Sequence, residues 1–294
     1  MIKIIFIGMS GPFSLIPFHT LVDAGHKPVG IVAPAIFKGS GIPSFSDPVP
    51  VDKGIWLIAP HPPLTRAANN LLIPAMMTDD LHHPRALKWL EQLEPDLFVT
   101  ACFPHILPPR WLQIPRLGAL NLHPSLLPAY RGPYPLFWQF RSGETQTGVT
   151  VHWMSKRPDT GDIAAQVHVP LPDGLSGAEA DERLAREGAN AVVRLLENPE
   201  NIPHIPQSRE NASYQPVPSQ DDFTIPTTWT ARRAYNFLRG ANEWKRFKII
   251  GEKETHAARD ADTFTMDNTR PLGDNWVRFI DGWVKIRPAN HPTA

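Results

Sequence analysis

Apolar residues along the first third of the chain come in short runs broken by glycine and proline. Ile2 to Ile7 is β-branched and aromatic and is punctuated by Gly8 to Pro12, which predicts a buried strand. Phe13 to Ala24 then carries apolar residues at helical spacing and stops at Gly25, a residue suited to a helix C-terminus. Pro28 to Ala33 is a second apolar run, so the first 33 residues predict a βαβ unit with parallel strands. Gly8, Ser10 and Gly11 do not make the G-x-G-x-x-G spacing, and no nucleotide is inferred from that turn.

Residues 34–70 lack a sustained period and read as a long irregular excursion with a short strand at Ile55 to Ile58. Leu71 to Ala75 predicts the next strand, Pro84 to Leu93 an amphipathic helix, and Asp96 to Ala101 a strand opening into the loop Cys102 to Pro109. Leu117 to Leu122 predicts a further strand. Gly148 to Met154 alternates Val149, Val151 and Trp153 with Thr150 and His152, and Ala164 to Val169 is a partner for it. Glu179 to Leu196 predicts a long amphipathic helix.

From about Pro203 the texture turns to Pro, Ser, Gln and Asn, the composition of a linker. A helix over Trp229 to Arg239 and strands at Arg246 to Ile250, Trp276 to Ile280 and Trp283 to Ile286 follow. The expected fold class is α/β, with a Rossmann-like, mostly parallel sheet in a catalytic domain over residues 1–202. Residues 203–294 are expected to form a linker and a smaller, mostly β C-terminal domain, for which an OB-like barrel is one fitting architecture.

Composition narrows the function classes. Lys+Arg and Asp+Glu both total 29, so the chain lacks the bulk positive field that tracks phosphate backbones. Cys102 is the sole cysteine, which excludes an intrachain disulfide and an all-cysteine metal cluster, and it reads as a small buried hydrophobe. No uninterrupted apolar stretch approaches the roughly 18 residues a spanning helix needs, and the N-terminal run is too short for a signal peptide. A cytoplasmic protein without a membrane partner is expected.

Chemistry gathers where polar residues interrupt the end of a predicted buried strand, in Asn121-Leu-His123-Pro-Ser125-Leu-Leu-Pro-Ala-Tyr-Arg131-Gly-Pro-Tyr134-Pro. Side chains alternate along a strand, so Asn121 and His123 point the same way, and Pro124 pushes His123 toward extended geometry. Amide and protonated ring N–H groups sharing a pocket suit the grip on an oxyanion that acyl transfer requires. Asp159, in the turn Lys156-Arg-Pro-Asp159-Thr-Gly-Asp, is an acid that would hold the ring charged and accept an amine proton if it lay beside His123. Taken singly, N-x-H is a common structural hydrogen-bonding pair and D-T-G a common turn, and both readings stand at this level. His152 fits either a supporting role in the site or a satisfied buried histidine. Ser125 reads as a loop hydrogen-bonder.

In order and spacing, Asn121-Leu-His123-Pro-Ser-Leu-Leu-Pro-x-Tyr-Arg-Gly, then Thr147-Gly-Val-Thr-Val-His152, then Asp159-Thr-Gly, resembles the 10-formyltetrahydrofolate-dependent formyltransferase family. That family includes methionyl-tRNA, glycinamide ribonucleotide and amino-sugar formyltransferases. The resemblance covers roughly residues 1–200. It implies the formyltransferase fold, 10-formyltetrahydrofolate as formyl donor, and no metal. Asn121 then matches the asparagine that orients the formyl oxygen, His123 the histidine that stabilises the tetrahedral intermediate, and Asp159 the aspartate that receives the proton. Phe103, His105, Ile106 and Leu107 match the loop whose backbone binds the pterin, and Arg157 and Pro158 the loop facing it. Met9, Ser10, Arg131 and Tyr134 are assigned to the acceptor side, with aromatic packing at a helix start as the plainer account of the last two.

Within such a family the acceptor is the open variable. Methionyl-tRNA enzymes carry a basic glycine-rich loop after the second strand, whereas this chain has Pro34-Ala-Ile-Phe-Lys38-Gly-Ser-Gly followed by prolines. Arg232, Arg233, Arg239, Lys245, Arg246 and Lys248 are close enough in sequence to form a patch, or simply the solvated face of a helix. A small amine, such as a nucleotide-linked amino sugar or a modified amino acid, is the expected acceptor, with methionyl-tRNA second. A formyltetrahydrofolate hydrolase and a non-catalytic folate-binding protein are the further alternatives.

Overall fold

The computed structural model describes residues 2–35, 44–46, 63–244, 246–252 and 254–289. The chain forms two compact units: one of residues Met1–Ala129, Gly148–Val167 and Glu182–Ala212, the other of Tyr130–Thr147, His168–Asp181 and Ser213–Ala294.

In chain order the elements are β1 (Ile4–Gly8), α1 (Pro12–Asp23), β2 (Gly30–Ala33), β3 (Ser44–Ser46), α2 (Pro63–Asn70), β4 (Ala75–Met77), α3 (Pro84–Gln92) and β5 (Leu97–Ala101). There follow α4 (Pro109–Leu112), β6 (Gly118–His123), α5 (Pro135–Ser142), β7 (Gln146–Trp153), β8 (Ile163–Pro170) and α6 (Gly177–Leu196). The sheet of the first unit runs β3-β4-β2-β1-β5-β6-β7-β8. Pairs β1–β2, β1–β5, β2–β4 and β5–β6 are parallel, while β3–β4 and β6–β7 are antiparallel. The expected Rossmann-like, mostly parallel α/β sheet is therefore present. Every residue of β1 and of β5 is buried, as strands covered on both faces must be, which is why both read as unbroken apolar runs.

Departures from the sequence reading have local causes. Leu71 to Ala75 is not a strand: Leu71, Leu72 and Ile73 donate to Ala68 and Asn69 carbonyls, closing the end of α2, and β4 starts only at Ala75. Leu72, left-handed with φ 56°, is more than half exposed there. The helix α2 itself lies in the stretch read as irregular. The strand expected at Ile55 to Ile58 lies outside the described residues. Cys102 is exposed with φ 56°, turned out of β5 rather than buried behind it.

The second unit has β9 (Thr224–Pro226), α7 (Ala231–Gly240), β10 (Phe247–Ile250), β11 (Thr255–Thr265), β12 (Trp276–Phe279) and β13 (Gly282–Pro288), in the sheet order β12-β13-β11-β10-β9. It is mostly β, as expected. Its core stacks aromatic rings from helices and strands: Phe137 of α5 lies 5.0 Å from Phe223 and 5.3 Å from Phe237, and Phe237 lies 5.3 Å from Phe247. Each such ring contributes about 1.5–3 kcal/mol by leaving water. Among the described residues, no helix is long and apolar enough to cross a membrane.

Candidate active site

Strand β6 leaves the buried sheet at Asn121 and His123. Its register pairs Asn121 with Thr100 of the parallel neighbour β5 and with His152 of the antiparallel neighbour β7. Directly opposed residues of an antiparallel pair place their side chains on one face. Accordingly Asn121 Nδ2 lies 3.1 Å from His152 Nε2, while His152 Nδ1 lies 2.9 Å from the Trp153 carbonyl oxygen. A carbonyl only accepts, so Nδ1 carries the proton; in the neutral ring Nε2 is then the acceptor and Asn121 donates to it. This fixes which end of the amide faces β7 and leaves the second Asn121 N–H for another partner.

The third group arrives from the turn after β7. Asp159, left-handed with φ 56°, places Oδ1 3.6 Å from His123 Nδ1 and 3.7 Å from His152 Nε2. One carboxylate oxygen thus lies near both imidazoles, and all three side chains are mostly withdrawn from water. The turn is tightly tied. Thr160 and Ser155 hydroxyls both donate to the Arg157 carbonyl at 2.9 Å, and Gln207 Nε2 donates to the carbonyls of Asp159 at 3.0 Å and Gly161 at 2.7 Å. Gly161 has no room for a side chain, since a Cβ there would lie 1.8 Å from the Trp153 carbonyl oxygen. Trp153, one residue on from His152 along β7, points to the opposite sheet face, where its ring stacks on His204 at 4.5 Å.

Behind His123 the loop is held by a buried polar knot. Ser125 Oγ donates to the Ala129 carbonyl at 2.8 Å, so Ser125 is the expected loop hydrogen-bonder. Thr150 Oγ1 donates to the Ser125 carbonyl at 2.7 Å and accepts from the Leu127 backbone N–H at 3.1 Å and from Gln166 Nε2 at 2.8 Å.

The other predicted positions divide. Leu107 is buried against a cluster that includes Trp111, Phe103 is half-buried on the same cluster, and between them Ile106 is 71% exposed. His105 Nε2 donates to Asp79 Oδ1 at 3.2 Å. Arg157 and Pro158 are exposed at the tip of the Asp159 turn. Met9 donates its backbone N–H to Ser14 Oγ at 3.0 Å, and that hydroxyl donates to the Ala101 carbonyl at 2.5 Å, tying the ends of β1 and β5 together beside Ser10. Arg131 and Tyr134 belong to the second unit, where Arg131 pairs by its backbone with Ser213 and Gln215 and Tyr134 packs edge-on against Trp244 at 4.8 Å.

The pattern described as Formyl transferase matches residues 57–196, which contain Asn121, His123, His152 and Asp159. Methionyl-tRNA formyltransferase of Moorella thermoacetica is 31% identical over 264 residues, covering 86% of this chain and 80% of that protein. The enzyme of the same name from Syntrophus aciditrophicus is 39% identical over 194 residues, 65% of this chain but only 61% of the relative's length. Among solved structures, the N-formyltransferase from Helicobacter canadensis in complex with folinic acid and dTDP-3-aminofucose superposes with a TM-score of 0.66. Its identity is 18%, with 98% of this chain and 99% of that one covered, so it shares the fold. With four-fifths of the Moorella protein matched at this identity, the chain belongs to the formyl transferase family.

Proposed function

We propose that the protein transfers the formyl group of 10-formyltetrahydrofolate to a small primary amine, an amino-sugar nucleotide or a modified amino acid. The observation that carries this reading is the convergence of Asn121, His123 and Asp159 at the carboxyl end of β6, with Asp159 3.6 Å from His123. The amine lone pair attacks the formyl carbon and the carbonyl electrons move onto oxygen. The free Asn121 N–H and a His123 ring N–H face that charge as it develops, which is where preorganised donors lower the barrier. Asp159 takes the proton the amine sheds, and the bond from formyl carbon to N10 breaks as N10 gains a proton. The products are tetrahydrofolate and the formamide, with no acyl-enzyme. The exposed Ile106 loop and the Arg157–Pro158 tip supply the apolar surface and open backbone that a flat heterocycle needs. The division of the chain into a catalytic domain over 1–202 and a C-terminal domain over 203–294 goes with this reading.

A second acceptor, methionyl-tRNA, is favoured by the names of the sequence relatives. Charge supports the small amine. Arg232 is engaged by Asp173 at 2.7 Å and Arg239 by Asp260 at 2.9 Å. Arg233 donates to the Arg141 carbonyl and stacks 3.7 Å over Trp229. Arg232 and Arg239, each facing a carboxylate, have their charge offset and contribute less to the counterion exchange on which RNA affinity rests. Arg246 and Lys248 are left from the predicted patch, Lys245 lying outside the described residues.

The test is release of tetrahydrofolate from 10-formyltetrahydrofolate against a panel of amino-sugar nucleotides, amino acids and charged initiator tRNA. Release that depends on a small amine supports the proposal. Release without any amine makes the protein a hydrolase, and formylation of the tRNA alone establishes the second acceptor.

A further inference from the structure

We propose that His105 is a positioning residue that, through Asp79, holds the donor-side loop so that Ile106 is presented to the folate. The inference rests on the folate reading given above and extends it to two residues that do not touch the reacting atoms.

Asp79 is a junction of three loops, all at the carboxyl ends of parallel strands. Its Oδ1 accepts from the Ala35 backbone N–H after β2 at 3.2 Å and from His105 Nε2 after β5, also at 3.2 Å, while Asp79 itself follows β4. A carboxylate only accepts, so the proton of this bond sits on Nε2 of His105. The loop leaves β5 through the left-handed Cys102, and Phe103 then packs edge-on against the His105 ring at 5.4 Å while resting on the Trp111 cluster. Leu107 is sunk into that cluster, whose Trp111 is pinned by its indole N–H on the Leu81 carbonyl at 2.7 Å. Ile106 is therefore displayed between two anchors, a core leucine behind it and a charge-assisted bond before it. The Leu107 anchor is made by packing any apolar side chain could supply. The His105 anchor is directional and fixes the loop's approach to the strand ends, where ligands of open α/β sheets bind. With both side chains about one-third exposed, at 34% and 32%, the pair adds little to stability, so its removal leaves the fold intact.

Steady-state kinetics on the full chain test this. For H105A and D79A, KM for 10-formyltetrahydrofolate is expected to rise about tenfold while kcat and the acceptor KM stay within about twofold, the signature of lost ground-state binding. H105Q keeps an N–H donor at that reach and is expected to restore KM to within about threefold of the parent. Thermal midpoints of all three should match the parent. A parental KM in H105A overturns the inference, as does an equal rise in H105Q, or a fall in kcat at constant KM. A parent chain that releases no tetrahydrofolate with any amine overturns the functional reading instead, and this inference with it.

Discussion

His152 enters the site through its neighbour's carbonyl. Because the Trp153 oxygen takes the Nδ1 proton, Nε2 is available to Asn121, and the amide is aimed before any substrate arrives. Replacing His152 by Ala frees that amide to rotate, and kcat is expected to fall roughly 10²-fold with little change in folate KM. In the proposed mechanism His123→Ala removes the group that faces the developing oxyanion and should lower kcat by about 10²–10⁴-fold; turnover within a few-fold of the parent would remove His123 from the mechanism. Asn121 and His123 were legible in the sequence because strand alternation alone puts them on one face. Asp159 was legible only through the family resemblance, since nothing local ties residue 159 to residue 123. The Asn121–His152 bond depends on the register of β6 against β7, which spacing along the chain does not encode. Cys102 misled the reading because a left-handed backbone at the strand end turned an apolar-looking position outward.

At the scale of elements, the site depends on two joints that sequence patterns hide. Thr150, inside β7, satisfies two groups of the loop behind His123, so T150V leaves the Ser125 carbonyl and Leu127 N–H buried without it. A loss of about 1–3 kcal/mol in denaturant unfolding is expected. Gly161 is the second joint. An added Cβ meets backbone rather than a yielding side chain, so G161A should cost about 3 kcal/mol and displace Asp159, read as lost stability together with lost kcat. Among missed elements, β11 shows why alternation failed. Two register shifts against β13, between Ala258 and Asp260 and between Ala261 and Thr263, break the period, and its buried positions are two small alanines, Ala258 and Ala261, and the charged Asp260, none of which marks a core face. The strands β1 and β5, uninterrupted and buried on both sides, were the easiest to read.

For the whole molecule, net charge near zero conceals extensive internal pairing, and this sets the response to acid. Burial alone would raise the Asp173 carboxyl, but hydrogen bonds from Arg232 and Asn236 outweigh it and hold it below the usual range. Burial likewise opposes, and the Ser219 hydrogen bonds and Arg141 charge overcome, the same shift at Asp222. Both carboxyls are lowered in the folded state, so their stabilisation is complete above the ordinary carboxyl pKa and is lost as pH falls through the lowered folded values. Thermal midpoints followed from pH 6 downward should therefore hold until about pH 4 and then decline, and D173N should flatten that decline. Of the basic run that begins at Arg232, Arg232 and Arg239 are paired with the Asp173 and Asp260 carboxylates.

The clamp on the Asp159 turn bears on the order in which the chain is made. Gln207, which holds the Asp159 and Gly161 carbonyls, lies 48 residues beyond Asp159. During synthesis every acid, amide and imidazole of the site emerges well before the side chain that clasps the Asp159 turn. A fragment ending at residue 202 keeps all four and leaves the turn unclasped, whereas one ending at Ala212, where the first unit closes, retains the clasp.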